Sequence, residues 1–284
     1  MTDISCSIVL FENDPEELSL AVNSFLGSTK DIRLYLVDNS PDDSLRYEFD
    51  SPRIEYIFPG RNLGYGAGHN LAIAKSKRKS RYHLILNPDV EFDPEILDNL
   101  FSFMEQNTEV GLVMPKVLYR TGDIQYLCKR LPEPKDLFLR RFIPRHIKFL
   151  FKTLMETYEL KFRDYDSVME VPNLSGCFMF VRSDVFEKVG GFDEQYFLYL
   201  EDTDLSRRIN QSYRTVYYPR VSIIHGYRKG SYKSLKLMKY HLSSSIKYFN
   251  KWGWFDDKAR MLVNRSLVRD TAPRENLFHF IIPN

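Results

Sequence analysis

The sequence predicts an α/β fold with a mainly parallel central sheet and a helical C-terminal extension. Three observations carry that expectation. Short apolar runs alternate with helix-period segments through the first half of the chain, the pattern of βαβ units. The runs end in polar or acidic residues, and sheets of this kind collect their ligands at the carboxyl ends of strands. Beyond Gly226 the pattern turns helical and rich in lysine.

The elements follow in order. Ser5–Phe11 (SCSIVLF) reads as a buried strand that stops at ENDPEE, and Pro15 starts a helix through about Phe25. Ile32–Ser40 is a second strand, ending in Asp38 and Asn39, and Arg53–Gly60 is a third. A glycine-rich turn, GRNLGYGAGHN, then leads into a helix from about His69 to Lys77. Tyr82–Val90 (YHLILNPDV) is a fourth strand, and Asp93–Asn107 is an amphipathic helix with an acidic start. From Gly111 the pattern changes: GLVMPKVLY reads as a shorter strand, and Lys129–Glu156 is basic and aromatic. VPNLSGCFMFVRSDVFEKVGGFDE gives a strand, a short helix and a glycine turn. Tyr213–Gly226 returns as a strand ending at His225, and a helical tail runs from Arg228 to about Arg265. This divides the chain into residues 1–226, with 1–110 as a nucleotide-binding half and 111–226 as an acceptor-binding half, and a basic extension over 227–284.

Composition excludes several classes. With 284 residues, 43% apolar and 27% charged, the chain has the makeup of a globular protein with ample length for a core. A net charge of +2 gives no global field for nucleic acid, so none is expected as a partner. Cys6, Cys128 and Cys177 are odd in number and far apart, which fits neither a disulfide framework nor a zinc site and points to a reducing compartment. No signal peptide or membrane-spanning run is read in the sequence, so a cytoplasmic location is expected. Two basic aromatic stretches, Leu137–Leu154 and the tail from Arg228 to Trp252, are candidates for peripheral contact with the anionic inner face of the cell membrane. A solvated helix face explains them equally well, and the tail is also a candidate for pairing subunits into a homodimer.

Four segments carry candidate chemistry. GRNLGYGAGHN has G-x-G-x-G spacing, but it follows the third strand, whereas a dinucleotide fingerprint belongs in the first strand-to-helix turn. Its functional reading is a backbone close to a nucleotide, with Arg61 near the phosphates; the plain alternative is a flexible turn. LILNPDVEF ends in Asp89, which Pro88 projects from the sheet, as a cation shared with a diphosphate requires. His225 ends another strand and could complete an oxygen-and-imidazole site with Asp89. FLYLEDTDLSRRIN packs Glu201, Asp202 and Asp204 together, one turn ahead of Arg207 and Arg208. An acidic helix start that complements the dipole, with Asp204 pairing to Arg207 or Arg208, would also explain that cluster.

Taken in order, these pieces resemble the inverting family-two glycosyltransferases of GT-A fold, a Rossmann-like nucleotide-diphospho-sugar transferase architecture, and most closely the rhamnosyltransferase-like ones. SIVLFEND resembles the family's first strand and nucleotide loop, LVDNSPDDS its base-recognising Asp motif, and RNLGYGAGHN its N-x-G-x-a-x-G-x-N turn. LILNPDV stands where the metal-binding D-x-D motif stands, the SGCFMF to DTDLSRR segment resembles the acceptor and catalytic motifs, and IIHG resembles the metal-ligating His. The resemblance implies a nucleotide site at Val9, Phe11, Asp38, Asn39, Arg61, Asn62, Gly64, Gly66, Asn70 and Asn87, with Asp38 on the pyrimidine ring. It implies a divalent metal, Mg²⁺ or Mn²⁺, on Asp89 and His225, and an acceptor site at Ser175, Gly176 and Tyr199. Asp202 would be the general base, with Glu201 beside it. One departure stands out: Asn87-Pro88-Asp89 keeps a single carboxylate of the D-x-D pair, which weakens the expected grip on metal. Phe197 and Tyr199 would stack on sugar faces or pack in the core.

The implied activity is inverting transfer of a sugar, rhamnose as the first choice, from a dTDP- or UDP-linked donor to a hydroxyl of a lipid-linked polysaccharide or O-antigen. A hexosyltransferase using UDP-galactose or UDP-glucose is the alternative. A pyrophosphorylase would carry a Gly-rich, Lys-bearing loop after the first strand, which FENDPEE is not, and a NAD-dependent oxidoreductase is disfavoured by the glycine position. A non-catalytic sugar- or nucleotide-binding protein would not need Asp89, Asp202 and His225 at element ends.

Overall fold

A computed structural model describes residues 1–142, 149–226 and 234–269 of the chain. β1 (Thr2–Leu10) lies third from one edge of the sheet. The chain then breaks at Asp14, whose side chain accepts from the Glu16 N–H at 2.8 Å and caps α1 (Pro15–Leu26), with Pro15 in the first helical position. β2 (Ile32–Asp38) and β3 (Ile54–Ile57) add in parallel on one side of β1, and β4 (Ser80–Leu86) adds in parallel on the other. Ile4, Cys6, Ile8 and Leu10 are fully buried, as are Leu84, Ile85 and Leu86, because helices cover both faces of this half.

α2 (Tyr65–Ser76) begins four residues before the expected His69. Gly66 and Gly68, expected in a turn, therefore lie inside the helix. A Cβ on Gly66 would come within 2.8 Å of Phe192, and one on Gly68 within 2.8 Å of Val9. Close packing of α2 thus decides these positions over helix propensity, which disfavours glycine by about 1 kcal/mol. Gly64, with φ of 88°, supplies the left-handed step that starts the helix.

Past β4 the chain forms the short β5 (Val90–Glu91), α3 (Glu95–Gln106) and β6 (Val110–Leu118), which at nine residues is as long as β1 rather than shorter. α4 (Pro134–Phe142), α5 (Lys152–Tyr158) and β7 (Met169–Glu170) follow, then β8 (Phe178–Arg182), α6 (Val185–Val189), α7 (Glu201–Asn210) and β9 (Arg214–His225). The nine-stranded sheet runs β3-β2-β1-β4-β8-β6-β9-β5, with β7 also on β9. It is parallel from β3 to β4 and between β6 and β9. β8 inserts antiparallel between β4 and β6, and β5 and β7 pair antiparallel with β9. Midway along β9 the register slips: Pro115 faces Tyr218, but the next residue of β6, Lys116, faces Ser222. Pro219, Arg220 and Val221 form the resulting bulge.

The helical tail is α8 (Leu235–Trp252) and α9 (Lys258–Arg269), separated at Gly253, where φ is 97°. α8 packs on the segment before α7, with Tyr248 and Phe249 buried against Tyr196 and Leu200. Of the two basic stretches, residues 143–148 and 227–233, which include Arg228, Lys229, Tyr232 and Lys233, lie outside the described residues. Cys6, Cys128 and Cys177 are buried free thiols. Among the described residues no helix is long and apolar enough to cross a membrane.

Candidate functional site

The carboxyl ends of β1, β2 and β4 lie side by side, with Leu10 paired to Asp38 and Ile8 to Leu86. Asp38 is fully buried; one oxygen accepts from the Ser40 N–H at 2.9 Å and the other from the Tyr56 hydroxyl. Burial, and then the bond to Asp38, push the Tyr56 hydroxyl well above its ordinary pKa. Asn39 donates from its side chain to the Gly64 carbonyl at 3.0 Å, drawing the Arg61–Gly64 turn onto the same edge. Asn62 closes that turn by accepting from the Gly64 N–H at 2.9 Å, and Arg61 and Phe11 are exposed beside it.

Three residues grouped with this edge point elsewhere. Val9 packs beneath α2 with Tyr35, Val37 and Ala72. Gly66 meets Phe192, and Asn70 binds the Phe192 backbone twice, donating to its carbonyl at 2.9 Å and accepting from its N–H at 2.8 Å. Gly66 and Asn70 thus lock α2 against the loop after α6, and Val9 packs it against the sheet.

A second constellation sits beyond β4. The β5–β9 ladder pairs Val90 with His225 and brings Asp89 Oδ1 within 3.4 Å of His225 Nε2. Gln125, only 3% exposed, clamps the histidine: its Oε1 accepts from Nδ1–H at 2.9 Å and its amide donates to the His225 carbonyl at 2.8 Å. With Nδ1 protonated, Nε2 carries the lone pair, and it turns toward Asp89 and the Asn87 amide at 3.3 Å. One carboxylate and one imidazole suit a cation that takes most of its shell from phosphate oxygens and water. No group of three or more His, Cys, Asp and Glu side chains forms a metal cage among the described residues.

The acidic cluster completes the site. Tyr199 and Leu200 both have positive φ, 71° and 66°, directly before α7, a strained entry that persists only where the surroundings enforce it. It delivers Asp202 to Gly176: Asp202 Oδ2 accepts from the Gly176 N–H at 2.9 Å, and Oδ1 accepts from the Thr203 N–H at 2.7 Å. Ser175, next in line, is half-buried. Glu201 is 5% exposed, and burial followed by the charge of Asp202 raises its pKa well above the ordinary carboxylate range. The carboxyl with raised proton affinity is therefore Glu201, and the Asp202 side chain is half-buried beside it. Asp204 is fully buried and outside the chemistry; it holds Arg208 at 2.8 Å, as the helix spacing suggested, and also Trp252 and Lys251 of α8. Arg207 turns instead to Asp257 at 2.7 Å. Phe197 and Tyr199 lie against Tyr240 and His241 of α8.

Tyr65 joins the two halves. Its hydroxyl donates to the Gly176 carbonyl at 2.6 Å and lies 3.0 Å from Asn87 Oδ1, and the Asn87 N–H donates to the Cys177 carbonyl at 2.9 Å. Burial, then Glu201 and Asp202, raise the Tyr65 pKa, and burial pushes the neighbouring Cys177 thiol up to about 12. No local pattern in the sequence marks Tyr65, inside the glycine segment, or Gln125, in the loop after β6. A separate cavity of about 270 Å³, lined by Ser5, Arg33, Glu55 and Lys79 among others, lies at the opposite, amino edge of the sheet.

Comparison with known proteins places this geometry. The model of glycosyl transferase family 2 matches residues 6–190, and that of the N-terminal domain of galactosyltransferase matches residues 157–236. N-acetylglucosaminyl-diphospho-decaprenol L-rhamnosyltransferase of Mycobacterium tuberculosis is 26% identical over 94% of this chain and 92% of its own length. Rhamnosyltransferase WbbL of Escherichia coli is 29% identical over 76% of this chain and 78% of its own. The crystal structure of GalNAc-T7 with UDP, GalNAc and Mn²⁺ superposes with a TM-score of 0.62 at 14% identity, covering 94% of this chain and 55% of that longer one. That likeness establishes the GT-A fold.

Proposed function

The chain belongs to glycosyl transferase family 2, and from that premise we propose that it moves rhamnose from a nucleotide-diphosphate donor to a hydroxyl of a lipid-linked surface glycan. It is a glycosyltransferase; the sugar and the acceptor class are supported by the rhamnosyltransferases it is similar to, one of them named for a decaprenol-diphosphate substrate. The observation that carries the site assignment is the Gly176 backbone: its N–H holds Asp202 and its carbonyl holds Tyr65, which reaches Asn87 beside the Asp89–His225 pair. The candidate base and the candidate diphosphate site thus meet at the backbone of one residue.

In this reading residues 1–110 bind the nucleotide, 111–226 the acceptor, and 227–284 form the extension. Asp38 accepts the pyrimidine N–H, and Arg61 and Asn62 flank the phosphates. Asp89 and His225 would hold Mg²⁺ or Mn²⁺ together with the donor phosphates, and that cation supplies positive charge at the leaving diphosphate. The acceptor rests against Ser175, Gly176 and Tyr199. Asp202 takes the proton of the acceptor hydroxyl as its oxygen attacks the anomeric carbon from the face opposite the diphosphate. The bond from that carbon to the diphosphate oxygen breaks, its electrons leave with the diphosphate, and the configuration inverts. Burial raises the proton affinity of Glu201, which makes it the carboxyl less disposed to carry a second negative charge beside the attacking oxygen.

Calorimetric titration of dTDP, UDP and GDP, with and without Mg²⁺ or Mn²⁺, tests the donor site. Metal-dependent binding of dTDP is expected; preference for UDP would turn the reading to a hexosyl donor, and no binding by folded protein would overturn it. Asp202→Asn is expected to cut transfer from dTDP-rhamnose by at least about a hundredfold with nucleotide affinity unchanged. Substantial turnover by that variant would remove Asp202 from the role of base.

A further inference from the structure

α9 is amphipathic in the inverted sense. Its inward face is largely polar. Arg260, 3% exposed, donates to the Gly253 carbonyl at 3.2 Å and the Trp254 carbonyl at 2.9 Å. Asn264, 8% exposed, pairs with Leu131 through both backbone groups at 3.0 and 2.9 Å. These bonds fix the helix's rotation, because turning it would strand buried polar groups without partners.

The outward face therefore cannot roll into the core, and it is apolar and basic. Met261, Leu262 and Val268 are 42%, 61% and 63% exposed, spaced as one helical stripe with the exposed Lys258 and Arg265. Phe255, just ahead of the helix, is 81% exposed. Neither the 18-residue α8 nor the 12-residue α9 contains an Asp or Glu, although the whole chain is nearly neutral at +2. Within the two helices this positive charge has no compensating acid, the exposed Asp256 standing just ahead of α9, and positive charge beside exposed aliphatic and aromatic side chains is the composition that lies in the headgroup layer of an anionic bilayer.

We propose that the outward face of α9, with Phe255, docks on an anionic lipid surface. Apolar side chains enter the boundary between headgroups and acyl chains while Lys258 and Arg265 meet lipid phosphates. The face is tied to the candidate site: Asp257, at the start of α9, pairs with Arg207 of α7, the helix that carries Asp202. That a bilayer held here would present a lipid-linked acceptor rests on the reading above; the docking itself does not.

The test is co-sedimentation of the full chain with vesicles of phosphatidylcholine alone and of phosphatidylcholine with about 30% phosphatidylglycerol. Binding is expected only to the anionic vesicles, weakening as salt rises. Met261→Ser combined with Leu262→Ser, and separately Lys258→Glu combined with Arg265→Glu, are each expected to weaken it about tenfold or more, with thermal midpoint and nucleotide binding unchanged. Absence of vesicle binding, or equal binding by wild type and both variants, would overturn the proposal. So would a fall in sedimentation mass of the variants at unchanged vesicle binding, which would make the face a contact between two copies. A lowered thermal midpoint at unchanged vesicle binding would assign it to the chain's own residues and overturn the proposal too. No donor or acceptor enters the measurement, so its failure is separate from failure of the transferase reading.

Discussion

Gln125 shows how a residue without chemistry of its own can govern a site. Its amide fixes the tautomer and the tilt of His225, leaving Nε2 aimed at Asp89. Gln125→Leu is expected to lower metal-dependent nucleotide affinity by about ten- to a hundredfold, the usual cost of losing a partner behind a metal ligand. Metal-free affinity should stay as it was, and calorimetry reads both numbers. Equal affinity in the two proteins would show that the imidazole's orientation does not matter to binding. Asp89, His225 and Asp202 were legible because each ends or starts an element in a recognisable segment. Gln125 was not, because its partner lies 100 residues away and nothing local in GDIQYL announces the pairing. Tyr65 was hidden differently: the glycines around it drew attention to backbone conformation, while the side chain between them reaches Gly176 and Asn87.

Among elements, α7 is the one on which both the chemistry and the extension depend. Its first turn carries Glu201 and Asp202, and its buried side carries Asp204 and Arg207 to α8 and the start of α9. Arg207 and Asp257 are 3% and 4% exposed, and the guanidinium also sits 4.0 Å from the Trp252 ring. Arg207→Ala leaves a buried carboxylate with the Arg260 N–H at 2.9 Å and, as its cation, the more distant Arg260 guanidinium at 3.8 Å, and should destabilise by about 3–5 kcal/mol in urea unfolding. Arg208→Ala should cost less, since Asp204 keeps Lys251 and Trp252 and the other losses are the hydrogen bonds to the Val189 and Gly191 carbonyls. Equal losses would mean that burial of the pair is not what matters. The acidic start could be read from spacing, which left the partner of Asp204 open between Arg207 and Arg208. The turn of Arg207 toward a loop about 50 residues later could not, nor could the early start of α2, where packing against Phe192 and Val9 overrides the glycines' reluctance.

At the scale of the molecule, the parallel half of the sheet was legible because its strands alternate with helices. The insertion of β8 between β4 and β6 was not, since strand order beyond consecutive neighbours leaves no mark in a local pattern. Behind the parallel half lies a buried polar chain: Ser5 binds His83 Nδ1 at 2.7 Å, while Ser7 binds His83 Nε2 at 2.9 Å and His69 Nδ1 at 2.7 Å. Burial lowers both imidazole pKa values, that of His83 to about 3. An unfolded histidine takes up its proton near pH 6.5, so between there and about 3 the unfolded chain binds more protons than the folded one. Stability from this network is complete above that window and is lost as pH falls through it. The urea midpoint should drop from pH 7.5 to 5.0, and drop less in a His69→Gln, His83→Gln double variant; identical drops would clear the histidines. The bulge in β9 has a consequence of another kind. Upstream, the strand is registered on β6 and β7; downstream, His225 is pinned by Val90 and Gln125. A residue gained or lost within a paired stretch would turn the imidazole to the wrong face, but one gained or lost among Pro219, Arg220 and Val221 only lengthens or shortens an unpaired swelling. Over descent, insertions and deletions in this strand should collect at those three positions, a hinge of length in a lineage that must otherwise count every residue up to its histidine.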